Sequence, residues 1–83
     1  MDNKVGQVTH YFGKIKVAVL ELSGGLKVGD KIHVHGKSTH FTQTVDSMQI
    51  DYKEVEKAKK GADVALRVDE DVHEGDEIFI MSD

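Results

Sequence analysis

Eighty-three residues, 39% hydrophobic and 31% charged, suit a single small domain, and a chain of this size buries only about 60% of the surface its unfolded form exposes. There is no cysteine, which excludes disulfide staples and thiolate metal sites and fits a reducing compartment. The net charge of -4 hides a split: residues 1–60 carry ten Lys against seven Asp and Glu, and residues 61–83 one Arg against eight, which disfavours sequence-blind nucleic-acid binding but allows a local basic face.

The N-terminal MDNKVGQ lacks the apolar stretch of a signal peptide, and no run approaches the roughly 20 apolar residues of a membrane span. A soluble, cytoplasmic protein is expected, with residues 1–83 forming one domain and no membrane partner. In chain order, Lys4 to Phe12 reads as a strand. Ile15, Val17 and Val19 alternate as an inward face, after which the apolar phase slips to Leu20 and Leu22. A slip of one residue turns side chains to the wrong face unless a bulge absorbs it, so a bulge is expected near Val19. A similar slip from Val45 to Met48 and Ile50 predicts a second bulge or a sharp bend at Asp46–Ser47. YKEVEKAKKG, Tyr52 to Gly61, fits either a buried helical turn or, preferably, a short strand at Lys53 to Val55 followed by a turn.

One unit recurs. LKVGDKIHV places Gly29 and Asp30 before Ile32 and Val34; KKGADVALRV places Gly61 and Asp63 before Val64, Leu66 and Val68; HEGDEIFI places Gly75 and Asp76 before Ile78 and Ile80. Glycine supplies positive φ, aspartate bonds nearby amides, and the alternation puts one face on a core. The expected fold is all-β: a small closed antiparallel barrel of six to seven strands, shaped by turns at Gly29, Asp30, Gly36, Gly61, Gly75 and Asp76.

Three chemical readings compete over GGLKVGDKIHVHGKS, Gly24 to Ser38. Gly36-Lys37-Ser38 matches the tail of a phosphate-binding loop, but the position of that loop's first glycine holds Lys31, and THFTQTV follows where a helix must begin. No nucleotide is expected. His33 and His35 share one strand face about 7 Å apart and are weak metal candidates, with His40 or His10 as a third ligand; the plainer reading is a solvent face opposite Ile32 and Val34, with no metal and no cofactor. A catalytic reading lacks parts: there is no cysteine nucleophile, no spacing indicates a Ser-His-acid set, and the carboxylates of DEDVHEGDE, Asp69 to Glu77, read as a solvated turn.

GLKVGDKIHVHG, AKKGADVALRV and VHEGDEIFI together resemble the second domain of translational GTPases, the β-barrel of elongation factor Tu and initiation factor two. The resemblance runs from about Val5 to Ile80 and rests on Lys27, Val28, Gly29, Asp30, Gly36, Gly61, Gly75 and Asp76. It implies structural turns and no chemistry, since the GTPase domain is absent. Similar barrels occur as small free-standing elongation-factor-like proteins and as accessory domains at the C-terminus of collagenase-like U32 peptidases; the chain reads as a free-standing copy. The implied function is a non-catalytic, translation elongation factor-like binding module contacting tRNA, ribosomal RNA or a translation factor through Lys14, Lys16, Lys31, Lys37 and Tyr11. Core packing is expected for Phe12 and Phe41. The alternative is a protein-interaction adaptor resembling the U32 accessory barrel, docking on a larger protein partner through the acidic C-terminal third with Phe79 and Met81 facing outward.

Overall fold

The computed structural model describes residues 3–81, and every strand in it pairs antiparallel. The strands are β1 (Asn3–Phe12), β2 (Val17–Leu22), β3 (Leu26–Lys27), β4 (Lys31–His35), β5 (His40–Thr44), β6 (Met48–Ile50), β7 (Lys53–Val55), β8 (Lys57–Ala58), β9 (Asp63–Arg67) and β10 (Glu77–Ile80). Eight form one sheet in the order β5-β4-β10-β1-β2-β9-β6-β7, while β3 and β8 make a separate two-stranded ladder. The recurring turns precede β4, β9 and β10, and Gly29, Gly61 and Gly75 hold φ of 97°, 90° and 94°, a region that β-branched or bulky residues enter only with strain.

All-β and antiparallel describe the fold; closure does not. The sheet has two free ends, β5 and β7, so it curls into a half-barrel, and eight strands replace the expected six to seven. The cause lies just after β5. Val45 donates its N–H to Asp30 O and accepts from Gly29 N–H, at 2.8 and 2.9 Å. Those bonds turn the chain onto the turn before β4 and leave Val45–Ser47 outside any strand, so β5 never runs into a ladder with β6. The expected bend at Asp46–Ser47 is this break.

β2 corrects the expected inward face. Ala18, Leu20 and Leu22 are buried, whereas Val17 and Val19 are only half-buried and Ile15 is 65% exposed in the turn between β1 and β2. The ladder irregularity does fall beside Val19, but the extra residue is Thr9 on β1: Val8 pairs Leu20 and His10 pairs Val19. Thr9 Oγ1 donates to Val19 O at 3.1 Å, replacing a ladder bond that the bulge removes. Lys53–Val55 is a strand, β7, and β8 follows where a helical turn was the other option. The core gathers Val8, Leu20, Leu26, Ile32, Val34, Met48, Val64, Leu66, Val68, Val72 and Ile78, each at most 2% exposed.

Candidate interaction surface

The turn between β1 and β2, residues 13–16, carries Lys14 and Lys16; Lys37 lies in the turn between β4 and β5, and Lys31 opens β4. All four are exposed. β4 runs antiparallel to β10, and β10 to β1, so β1 and β4 share a direction. Lys14, Lys16 and Lys37 therefore sit at one end of the sheet and Lys31 at the other, and they do not form one basic face. Lys4, on the same outer surface, is paired across the ladder with Glu77 at 2.8 Å.

The outer face of β4 brings histidines together. His35 pairs directly with His40 of β5, and His33 lies two residues back on the same face. Ring centroids are 4.6 Å apart for His33 and His40, 5.9 Å for His33 and His35, and 6.0 Å for His35 and His40, all edge-to-face, with Phe79 against His33 at 6.4 Å. Among the described residues no group of three or more His, Asp or Glu converges on a point that could hold a metal ion.

Tyr11, half-buried at the end of β1, donates its hydroxyl to Asp71 Oδ1 at 2.7 Å. That hydrogen bond, then burial and the carboxylate's charge, holds the phenol above its ordinary pKa. The neutral phenol is the form favoured in the fold, so this small contribution is intact at neutral pH and is lost as pH rises through the raised value. In a Tyr52→Phe background, where Tyr11 is the remaining tyrosine, absorbance at 295 nm should show ionisation above the usual phenol range. Asp71→Asn should bring it down, and an unchanged midpoint would show the bond to be absent in solution.

Gly36 and Asp76 meet where the turn between β4 and β5 packs on the loop before β10. Asp76 is 4% exposed, accepts the His73 N–H on Oδ2 at 2.8 Å, and presses its carboxylate on the space a Gly36 side chain would need. Thr39, in the same turn, bonds His73 Nδ1 at 3.0 Å. Asp30 plays a similar part before β4, accepting the Lys27 N–H at 3.0 Å.

Large apolar side chains stand in solvent at three turns, with Val28, before β4, the least exposed of them. Phe12 and Ile15 are 52% and 65% exposed at the tip joining β1 and β2, so Phe12 is not in the core, whereas Phe41, 9% exposed, is. Tyr52 is 98% exposed in the turn joining β6 and β7. Because β6 runs antiparallel to β9 and β9 to β2, the two tips point from opposite ends of the sheet. Sequence reading missed Tyr52 as a surface group, and no local signal marked it. Phe79 and Met81 are half-buried, less available than expected. The concavities are shallow: one of about 310 Å³ between β1 and β2 and one of about 380 Å³ floored by Val28, Met48 and Val55 and rimmed by Asp46, Glu54 and Glu56.

No family model matches the chain. It is 40% identical over 81 residues to an uncharacterized protease of Methanocaldococcus jannaschii, which covers 96% of this chain and 20% of that protein. It is 35% identical over 77 residues to a collagenase of Porphyromonas gingivalis, covering 90% of this chain and 21% of that protein. The chain thus spans about a fifth of the length of these relatives. Its fold superposes with a TM-score of 0.90 on the C-terminal domain of a putative U32 peptidase of Geobacillus thermoleovorans, at 17% identity over 96% of this chain and 93% of that one. The selenomethionine variant of that domain gives 0.87 at 18% identity, covering 92% and 96%.

These likenesses overturn the expected kinship with domain 2 of translational GTPases and the elongation factor-like, RNA-binding function drawn from it. The Gly-Asp turn followed by an alternating strand is a general way of turning a curved sheet, so the residues that carried the resemblance report turn geometry and do not single out a family. The likeness to a U32 peptidase C-terminal domain falls on the side of the alternative resemblance, and nothing in the comparisons supports tRNA or the ribosome as partner.

Proposed function

We propose that this chain is a non-catalytic protein-interaction module that docks on a peptidase body of the kind its relatives contain. The observation that carries the reading is the placement of Tyr52 in solvent at a turn, where its ring adds little to folding and is available to a partner. The relatives named protease and collagenase devote about four fifths of their length to something else, which is where their activity is reasonably lodged. The concavities are shallow and suit contact better than chemistry, because paired acid and base groups need an enclosed site to part their pKa values.

The test is binding in trans between this chain and the M. jannaschii protein lacking its matching segment, by calorimetry at low and moderate salt. A complex whose affinity changes little with salt is expected from an apolar interface. Affinity that collapses with salt, or release of peptides from casein or gelatin by the chain alone, would remove the proposal.

A further inference from the structure

The turn joining β6 and β7 is built at a cost to the fold. Ile50 pairs Lys53, so only Asp51 and Tyr52 make the loop, and both have positive φ, 52° and 67°. That is the primed two-residue hairpin whose twist matches the strands; Asn, Asp or Gly suits its first place and Gly, which lacks a side chain, the second, where Tyr52 stands. A tyrosine there carries a backbone penalty. Its ring returns none of it, being 98% exposed. Folding therefore accounts for neither the residue nor its position.

We infer that Tyr52 is the anchor by which this module seats on the peptidase body, its ring entering an apolar slot on that partner with the hydroxyl bonded at the rim. This rests on the docking reading above. A ring on a two-residue tip is a protrusion and needs a concave acceptor. Tyrosine is suited to the task, since it brings large area, few rotatable bonds and one polar end. The charges around the tip decide among classes of partner. Asp51 and Glu54 flank Tyr52 and Lys53, all exposed. Two carboxylates against one ammonium at the tip disfavour phosphates and anionic lipid headgroups alike, which leaves a protein surface. The other apolar tip lacks this signature, because Phe12 and Ile15 keep ordinary backbone angles and only Lys16, φ 53°, is left-handed there.

The experiment uses a full-length chimera: the M. jannaschii protein with its matching segment replaced by this chain. Tyr52 nitration by tetranitromethane, followed by peptide mass spectrometry, is compared between chimera and isolated chain, and docking is read by small-angle scattering. Tyr52 should react about tenfold more slowly in the chimera, as a group buried in a mostly closed state does. Asp51→Asn/Tyr52→Gly should keep or raise the melting temperature of the isolated chain and yet release the module in the chimera. Phe12→Ser/Ile15→Ser should leave it docked. Equal nitration in a compact chimera, a lower melting temperature for the first variant, or release by the second would each overturn the anchor while leaving docking intact. A wild-type chimera whose module is undocked would overturn the docking reading and the anchor together.

Discussion

Gly36→Ala is expected to destabilise the domain by about 3 kcal/mol, the upper range for forcing an atom into a packed interior, and to lower the melting temperature by about 15 °C at 4–8 °C per kcal/mol for a chain of this size. The added Cβ would lie 2.6 Å from Asp76 Cγ and closer still to Oδ1. A flexible surface side chain would swing away. Asp76 cannot: its Oδ2 holds the His73 N–H at 2.8 Å, its own carbonyl accepts from Val8 N–H at 2.8 Å, and Gly75 N–H donates to Val8 O at 2.8 Å. Yielding to the methyl group would strip a buried carboxylate of its donor and pull β10 from the bulged stretch of β1. Asp76→Ala removes the obstacle, so the double variant should lose less than the sum of the two single losses, a coupling that thermal denaturation by circular dichroism can read. A Gly36→Ala protein melting within a few degrees of wild type would show the loop to be soft.

This contact marks how far the sequence could be read. Gly36 and Asp76 are visible as turn residues, but their meeting depends on the thirty-nine intervening residues folding back, and only the three-dimensional structure shows that one constrains the other. The positive-φ glycines were legible because glycine before an aspartate and an alternating strand has few other uses. β2 misled for a physical reason: Ile15, Val17 and Val19 outrank Ala18 in hydrophobicity, yet the position on the core side is the one a neighbouring strand crowds, and Ala18 fits there with 0% exposure. Thr9 gave no warning of the bulge, since threonine is an ordinary strand residue. His40 could not be placed beside His33 and His35 before the register of β5 was known. Asp51-Tyr52 hid its turn because the glycine that usually follows Asp in such a hairpin is missing. What was legible is local backbone geometry; what was not is whichever face, edge or closure long-range pairing decides.

The opening of the half-barrel is bridged by one side chain, and Gln43→Ala is the sharpest probe of it. β5 ends the sheet, yet Gln43 is 6% exposed and reaches across the opening of the half-barrel. Its Nε2 donates to Arg67 O at 3.0 Å, and its Oε1 accepts the Asp69 N–H at 2.8 Å, so the amide does the work of a missing ladder at the end of β9. Alanine there leaves a carbonyl and an N–H without partners in a partly buried seam and should cost about 2–3 kcal/mol, seen as an earlier midpoint in urea. Gln43→Glu separates the hydrogen bonds from mere bulk. Its carboxylate can still accept from Asp69 N–H but faces the Arg67 carbonyl with a lone pair, so the charged form is disfavoured in the fold and the folded pKa lies above the unfolded one. By linkage, the variant's deficit relative to wild type shrinks as pH falls through that raised value, where the protonated acid can donate to Arg67 O. A deficit that stays constant from pH 7 to about pH 4.5, near the unfolded glutamate value, would mean that Gln43 fills space only, and that the half-barrel is held together by its apolar core alone.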